Sequence, residues 1–253
     1  MKKSYNAFTL KIIAIIGMIL QHAAIILEEV IPYALQVPMH LAGGLTFPIL
    51  AFFLVEGFKY TSSRKKYFLR LFIVAIISQV PFFIAYGNFW LMPLNIMFLL
   101  SMSLIMLHLH ENMKSRGGFW VIFSLFLVIS LMIEWNFIGF LMIWMYKIIK
   151  DEKKRTFWPA MMSALISVVL GIISVIFLGI IVNIIPDMNE LAELLEWTMV
   201  LSIFFGLGNA LSIYFIKRYN GERGKSMKYL FYVIYPLHFV VLALIANFLG
   251  ILG

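Results

Sequence analysis

The sequence predicts an all-α, polytopic integral membrane protein: a helical bundle of about nine transmembrane helices, N-terminus inside and C-terminus outside. Two observations carry this. The 253 residues are 63% hydrophobic and only 13% charged, with a mean hydropathy of +0.98. Soluble domains are about a quarter charged and could not hide so much apolar surface. The second observation is that Lys and Arg sort to one side of the apolar runs. No internal repeat or low-complexity linker divides the chain, so residues 1–253 are expected to form a single domain.

Apolar windows able to cross roughly 30 Å of hydrocarbon fall at 9–27, 41–58, 68–86, 91–108, 118–133, 136–149, 158–185, 197–216 and 229–251. The first runs into "HAAIILEEV", which stays apolar and then turns acidic without a small-residue cleavage site, unlike a secretory signal. Windows 118–133 and 136–149 are short, with only Glu134 and Trp135 between them, so a hairpin and one bent helix both fit.

Charge decides between them. With nine spans, the cytoplasmic segments hold Lys2, Lys3 and Lys11; Lys59, Arg64, Lys65, Lys66 and Arg70; Lys114 and Arg116; Lys147, Lys150, Lys153, Lys154 and Arg155; and Lys217, Arg218, Arg223, Lys225 and Lys228. These are all 20 basic residues of the chain. The outer loops carry Glu28, Glu29, Glu134, Asp187, Glu190, Glu193 and Glu196 instead. Merging the short pair would put later basic loops outside, against the positive-inside rule. The net charge of +8 therefore reflects orientation and contact with anionic lipid in the bilayer, not a nucleic-acid partner. The outer stretch "PDMNELAELLEW" (186–197) reads as a short amphipathic helix forming a solvated lid, with Trp197 at the interface. Cysteine is absent, which excludes disulfides, thiolate metal sites and cysteinyl intermediates.

Polar residues inside the spans are costly and become site candidates by default. His22 lies roughly 7–8 Å below the outer end of the first span. It sits about 100° round from a small-residue stripe of Ala14, Gly17, Gln21 and Ala24 that suits close helix packing. His40 opens the second span at its outer end, Pro48 frees a backbone carbonyl in mid-span, and Glu56 near the inner end is placed to pair with Arg70. Ser78, Gln79, Pro81, Pro93 and Asn95 gather toward the outer side. In "YVIYPLHFVV", Tyr235 and His238 fall roughly 10–14 Å from the inner end of the last span, beside the ladder break at Pro236. His108 and His110, at i and i+2, do not share a helix face, and no metal site is expected. The glycines of "GLGNALS" (206–212) lie in a span and are read as packing residues.

Taken together, "LKIIAIIGMILQHAA", "FPILAFFLVEGFKYTSSRKKYFLRLFIVAIISQVPF", "LNIMFLL" and "YPLHFVVL" resemble the TraX family, whose namesake acetylates the N-terminal amine of F-type conjugative pilin. The resemblance runs from residue 10 to about 100 and again over 228–245. TraX proteins look related to a wider group of transmembrane acyltransferases, including the acyltransferase-3 proteins and heparan-glucosaminide acetyltransferase, which carry acetyl from cytoplasmic acetyl-CoA to an acceptor on the other side. The resemblance gives His22 the role of an intramembrane base and makes Arg64 and Arg70, with Lys65, Lys66 and Glu56 around them, the expected contacts of acetyl-CoA. His238, Asn95, Gln21 and Tyr235 are then candidates for hydrogen-bonding the developing oxyanion or supporting the transfer.

The implied activity is acetyl transfer in the cytoplasmic membrane to an outer acceptor, a pilin-like peptide amine. O-acetylation of a glycan or lipid-linked sugar is the nearest alternative. A small-solute transporter, with Pro48, Pro81, Pro93 and Pro236 shaping a path, would call for repeated halves; a purely structural scaffold would leave His22 and His238 without a task. For topology, a reporter fused at Asn189 is expected to read extracytoplasmic and one at Asn220 cytoplasmic, and the reverse pattern would overturn the nine-span order.

Overall fold

Small polar residues just ahead of the apolar runs start the helices by accepting backbone N–H groups that have no partner inside the helix. Asn6 caps Thr9, Ser63 caps Lys66, Asn95 caps Met97 and Ser115 caps Gly118 through their side-chain oxygens. At the other end, Gly87 closes its helix with φ +66°, a left-handed geometry that needs no Cβ. The structure is a computed structural model that describes residues 4–87, 93–184, 189–226 and 229–252, without the side chains of 178–179, 181–184 and 189–196.

The helices are α1 (Ala7–Ile26), α2 (Tyr33–Gly44), α3 (Thr46–Tyr60), α4 (Arg64–Tyr86), α5 (Ile96–Asn112), α6 (Arg116–Ser130), α7 (Asn136–Ile148), α8 (Glu152–Ile184), α9 (Asn189–Lys217) and α10 (Leu230–Phe248). Among the described residues there is no strand, only isolated bridges at Tyr5–Tyr219 and Leu94–Ile133. Among the described residues six helical stretches are long and apolar enough to cross a bilayer, the second being Tyr33–Tyr60, and α5, α6 and α7 are shorter apolar helices. This is an all-helical, multi-pass membrane protein.

Several boundaries differ from the sequence reading. The short pair is two helices, α6 and α7, joined by a turn in which Trp135 and Asn136 both have positive φ (67° and 36°). The second window begins eight residues earlier, at Tyr33, so His40 lies two turns inside α2 and not at its outer end. Pro48 lacks the N–H that the Gly44 carbonyl would accept, and the helix is interrupted at Leu45. The outer stretch 186–197 is no separate helix from Asn189 onward, because α9 begins there and continues to Lys217. Pro186 to Met188 and the acidic side chains Glu190, Glu193 and Glu196 lie outside the described residues, as do Lys2, Lys3 and Lys228.

The chain groups into two units, residues 1–49 with 156–222 and residues 50–155 with 223–253. In the first, α2 packs against both α1 and α9. The contact is backbone to backbone. A Cβ on Gly17 would lie 2.2 Å from the Ala42 carbonyl oxygen, and one on Gly208 only 2.0 Å from that of Leu41. Such small-residue seams give helices in lipid close van der Waals contact. In the second unit, α4 packs against α10 and α5, while α5, α6 and α7 pack on one another.

Gly208→Ala is expected to destabilise the detergent-purified protein by about 1–3 kcal/mol, the usual cost of overpacking, because the obstacle is backbone. Gly117→Ala meets nothing within 4 Å and should be neutral or stabilising by about 0.5 kcal/mol. Thermal unfolding of both variants checks this, and equal melting points would show the seam to be looser than its geometry.

Candidate functional site

His22 and Gln21 belong to the first unit; His238, Tyr235, Asn95, Glu56, Arg64, Lys65, Lys66 and Arg70 belong to the second. On α1 the small-residue stripe faces α2. The Ala14 carbonyl accepts the Thr46 hydroxyl (2.9 Å), and the Gln21 side chain lies so close to Gly43 that a Cβ there would be 2.5 Å from Gln21 Oε1. His22 is buried on the neighbouring face. His40 is also buried, and its Nδ1 donates to the Gln36 carbonyl (3.0 Å). The buried Gln36 amide in turn donates to the carbonyls of Glu28 (3.1 Å) and Ile31 (2.8 Å), satisfying the loop between α1 and α2.

The last helix repeats the His40 arrangement. His238 Nδ1 donates to the Ile234 carbonyl at 3.1 Å, four residues back, with Pro236 two residues back, as Pro38 stands before His40. A carbonyl can only accept, so Nδ1 carries the proton and a neutral ring bears its lone pair on Nε2. Tyr235 is 0% exposed, and its ring lies 5.5 Å from that of His238. The Tyr235 hydroxyl makes no hydrogen bond, although it lies beside the Ile96 amide and within electrostatic reach of Glu134 and Tyr86.

Asn95 is fully engaged. Its Nδ2 donates to the Ala75 carbonyl (2.8 Å) and to Gln79 Oε1 (2.7 Å), its backbone N–H to Gln79 Oε1 (2.9 Å), and its Oδ1 accepts from Met97 N (3.0 Å). Both amide hydrogens sought for an oxyanion are thus spent on docking the start of α5 against α4. The next amide, Ile96 N, donates to Glu134 Oε2 at 3.1 Å.

At the basic end of the second unit, Glu56 pairs with Arg155 (2.7 Å) and not with Arg70. Arg155 reaches it because its Nε donates to the Tyr146 carbonyl (2.7 Å), and its guanidinium lies over the Phe52 ring at 5.1 Å. That leaves Arg70 with a buried Nε lacking a hydrogen-bond partner, its guanidinium 5.7 Å from the Tyr67 ring centre. Arg64 is tied to Glu111 at 2.6 Å and lies over Phe58 at 4.2 Å. Glu111 also pairs with Lys147. Lys65 and Lys66 are exposed. Of the four basic candidates, Arg70 is the one with a buried donor unmet.

Sequence reading names three further residues without the surroundings the structure gives them. Arg155 is 99 positions from Glu56, and nothing local marks the pairing. Glu134 reads as a loop acid until α5 brings its first amide to it. Ser78, grouped by sequence with Gln79 and Asn95, is 0% exposed with an unmet hydroxyl.

Residues 7–246 match the family model described as "TraX protein". The chain belongs to the TraX family. The match covers every candidate residue named above. The chain is also 28% identical over 258 residues to a "Probable fimbrial assembly protein FimC, serogroup H1" of Dichelobacter nodosus, the alignment covering 97% of each chain. No solved structure matches this TraX family member.

Arg155→Ala is expected to destabilise the protein by about 3 kcal/mol, the low end for stranding one partner of a buried pair, since the two side chains are only 20% and 16% exposed. Arg155→Met combined with Glu56→Leu should recover most of that loss. Unfolding in denaturing detergent reads both, and a double variant no better than the single one would argue against the ion pair as the cause.

Proposed function

We propose that this protein is an acetyltransferase of the cytoplasmic membrane, taking the acetyl group from cytoplasmic acetyl-CoA and delivering it to an outer amine such as the N-terminus of a fimbrial or pilus subunit. The observation that carries the reading is family membership over nearly the whole chain, together with a full-length relative whose name places it in fimbrial assembly. The amine nitrogen attacks the thioester carbonyl carbon, the N–C bond forms, the C–S bond breaks, and the amine proton passes to a histidine. In this reading the histidine is His22, buried in α1. The leaving thiolate takes up a proton as CoA.

The donor's phosphates need cations at the basic end of the chain. Arg70 fits: its guanidinium offers a planar fork suited to phosphate, and its buried Nε has no protein partner. Arg64 already pairs with Glu111, and Lys65 and Lys66 add long-range attraction from the surface.

Calorimetry on detergent-purified protein tests the donor side. Wild type is expected to bind acetyl-CoA saturably, and Arg70→Ala to weaken binding about tenfold. His22→Ala should bind normally yet lose at least about 100-fold in acetyl transfer. Absence of binding to folded wild-type protein would overturn the acetyltransferase reading; normal turnover in His22→Ala would remove the base assignment.

A further inference from the structure

Three features of the second unit converge on one carboxylate. The first is depth. Asn95 docks the start of α5 against Ala75 and Gln79, and Gln79 lies seven residues before the end of α4 at Tyr86, about 10 Å along the axis. Glu134, hydrogen-bonded to Ile96 at that start, therefore sits well inside the apolar layer, although sequence places it in an outer loop. The second is the turn that carries it. Trp135 and Asn136 are consecutive non-glycine residues at positive φ (67° and 36°), and such outliers concentrate where a side chain must be aimed. The Glu134 N–H also bonds the Leu94 carbonyl (2.8 Å), fixing the turn to the chain entering α5.

The third feature is Tyr235. Its hydroxyl comes from α10, is wholly buried, makes no hydrogen bond, and lies within reach of Glu134, Tyr86 and the Ile96 amide. A carboxylate and a phenol oxygen together form an acceptor-rich pair, while an anion would be repelled. The sequence assigns the Lys and Arg residues to the opposite side, so a cationic ligand is the complement this pair calls for. A primary ammonium supplies both the charge and several N–H donors.

We propose that Glu134 and Tyr235 form the subsite that binds the acceptor's primary amine, the carboxylate and the phenol oxygen both accepting N–H bonds from it; this rests on the amine acetyltransferase reading above. The bound ammonium passes one proton to the Glu134 carboxylate, which frees the nitrogen lone pair for attack, and its second proton leaves to the histidine as the N–C bond forms.

The test is equilibrium binding of a tetra-alanine amide with a free N-terminus, and of its N-acetylated form, to the detergent-purified full chain. Wild type should prefer the free amine by about tenfold or more. Glu134→Gln should abolish that preference while its amide oxygen still accepts from Ile96, and Glu134→Asp should restore part of it. Tyr235→Phe removes a hydroxyl whose backbone neighbour, the Ile96 amide, already donates to Glu134, so it should fold normally and weaken free-amine binding severalfold. Acetyl-CoA binding should be unchanged in all three variants. Equal binding of the two peptides, or preference retained in both Glu134→Gln and Tyr235→Phe, would overturn the subsite while leaving the donor side standing. Failure of wild type to bind acetyl-CoA would strike the acetyltransferase reading instead, whatever the peptides do.

Discussion

Asn95 holds the interior of the second unit in place. Its two amide hydrogens go to Ala75 and Gln79 of α4, and its carbonyl oxygen caps Met97 of α5. In hydrocarbon no water can replace any of these, so the start of α5 has one place to sit. From that placement the rest follows. Leu94 N–H meets the Met132 carbonyl and the Glu134 N–H meets the Leu94 carbonyl, which ties the α6–α7 turn to the same level. The Ile96 amide, the next in line, then faces a carboxylate where the positive end of the α5 dipole favours one. Gln79 completes the frame by reaching the Pro93 carbonyl. The polarity of Asn95 thus works as a joint between α4 and α5, and the proposed amine subsite sits on its neighbours.

The first unit meets the same absence of water with fewer polar groups. Its helices approach until backbone touches backbone, at Gly17 against Ala42 and Gly208 against Leu41, where dispersion replaces hydrogen bonding. Inside it, side-chain bonds cover bare backbone or a buried polar residue: Gln36 closes the loop carbonyls after α1, and Asn209 bonds the Phe205 carbonyl within α9 and accepts from Ser163 of α8. Both units depend on small or amide side chains at a few positions, which is why substitutions there are felt strongly.

Much of this was legible in the residues. Apolar periodicity located the helices, Asn and Ser ahead of the runs marked their starts, and the recurrence of Ala14, Gly17, Gln21 and Ala24 marked the seam of α1. The failures have physical causes. In "YALQVPMH" the polar residues lower the local hydropathy, so hydropathy alone starts the span late; the helix persists because Gln36 and His40 turn their polarity onto backbone carbonyls. Glu56 had several cations within reach along the sequence, and its partner Arg155 follows from the packing of α3 against a chain segment a hundred residues away, which no local pattern encodes. Depth was invisible for a similar reason. Glu134 interrupts two apolar runs and so resembles a loop tip, but how far a turn sinks depends on how short its helices are beside a longer neighbour.

The unmet groups differ in how easily the protein could have satisfied them. Ser101, Ser130, Ser174 and Ser212 all donate to a carbonyl three or four residues back in their own helix. Ser78 has the same recourse to the Val74 carbonyl by a turn of χ1, so its free hydroxyl is a local choice with a ready exit. Tyr235 has none, since its oxygen stands a full ring away from its own backbone. Arg70 lies in the second turn of α4, near the charged end where an arginine ordinarily extends its head to water, yet its Nε is buried. The Tyr146 hydroxyl is buried and unmet in the same way, so an unmet atom does not by itself mark a ligand site; Arg70 and Tyr235 enter the proposal because one lies at the basic end and the other beside Glu134. Donors and acceptors fixed in advance in a dry site need no rearrangement when the ligand arrives, and that is the condition under which a hydrogen bond in a protein is worth most to a reaction.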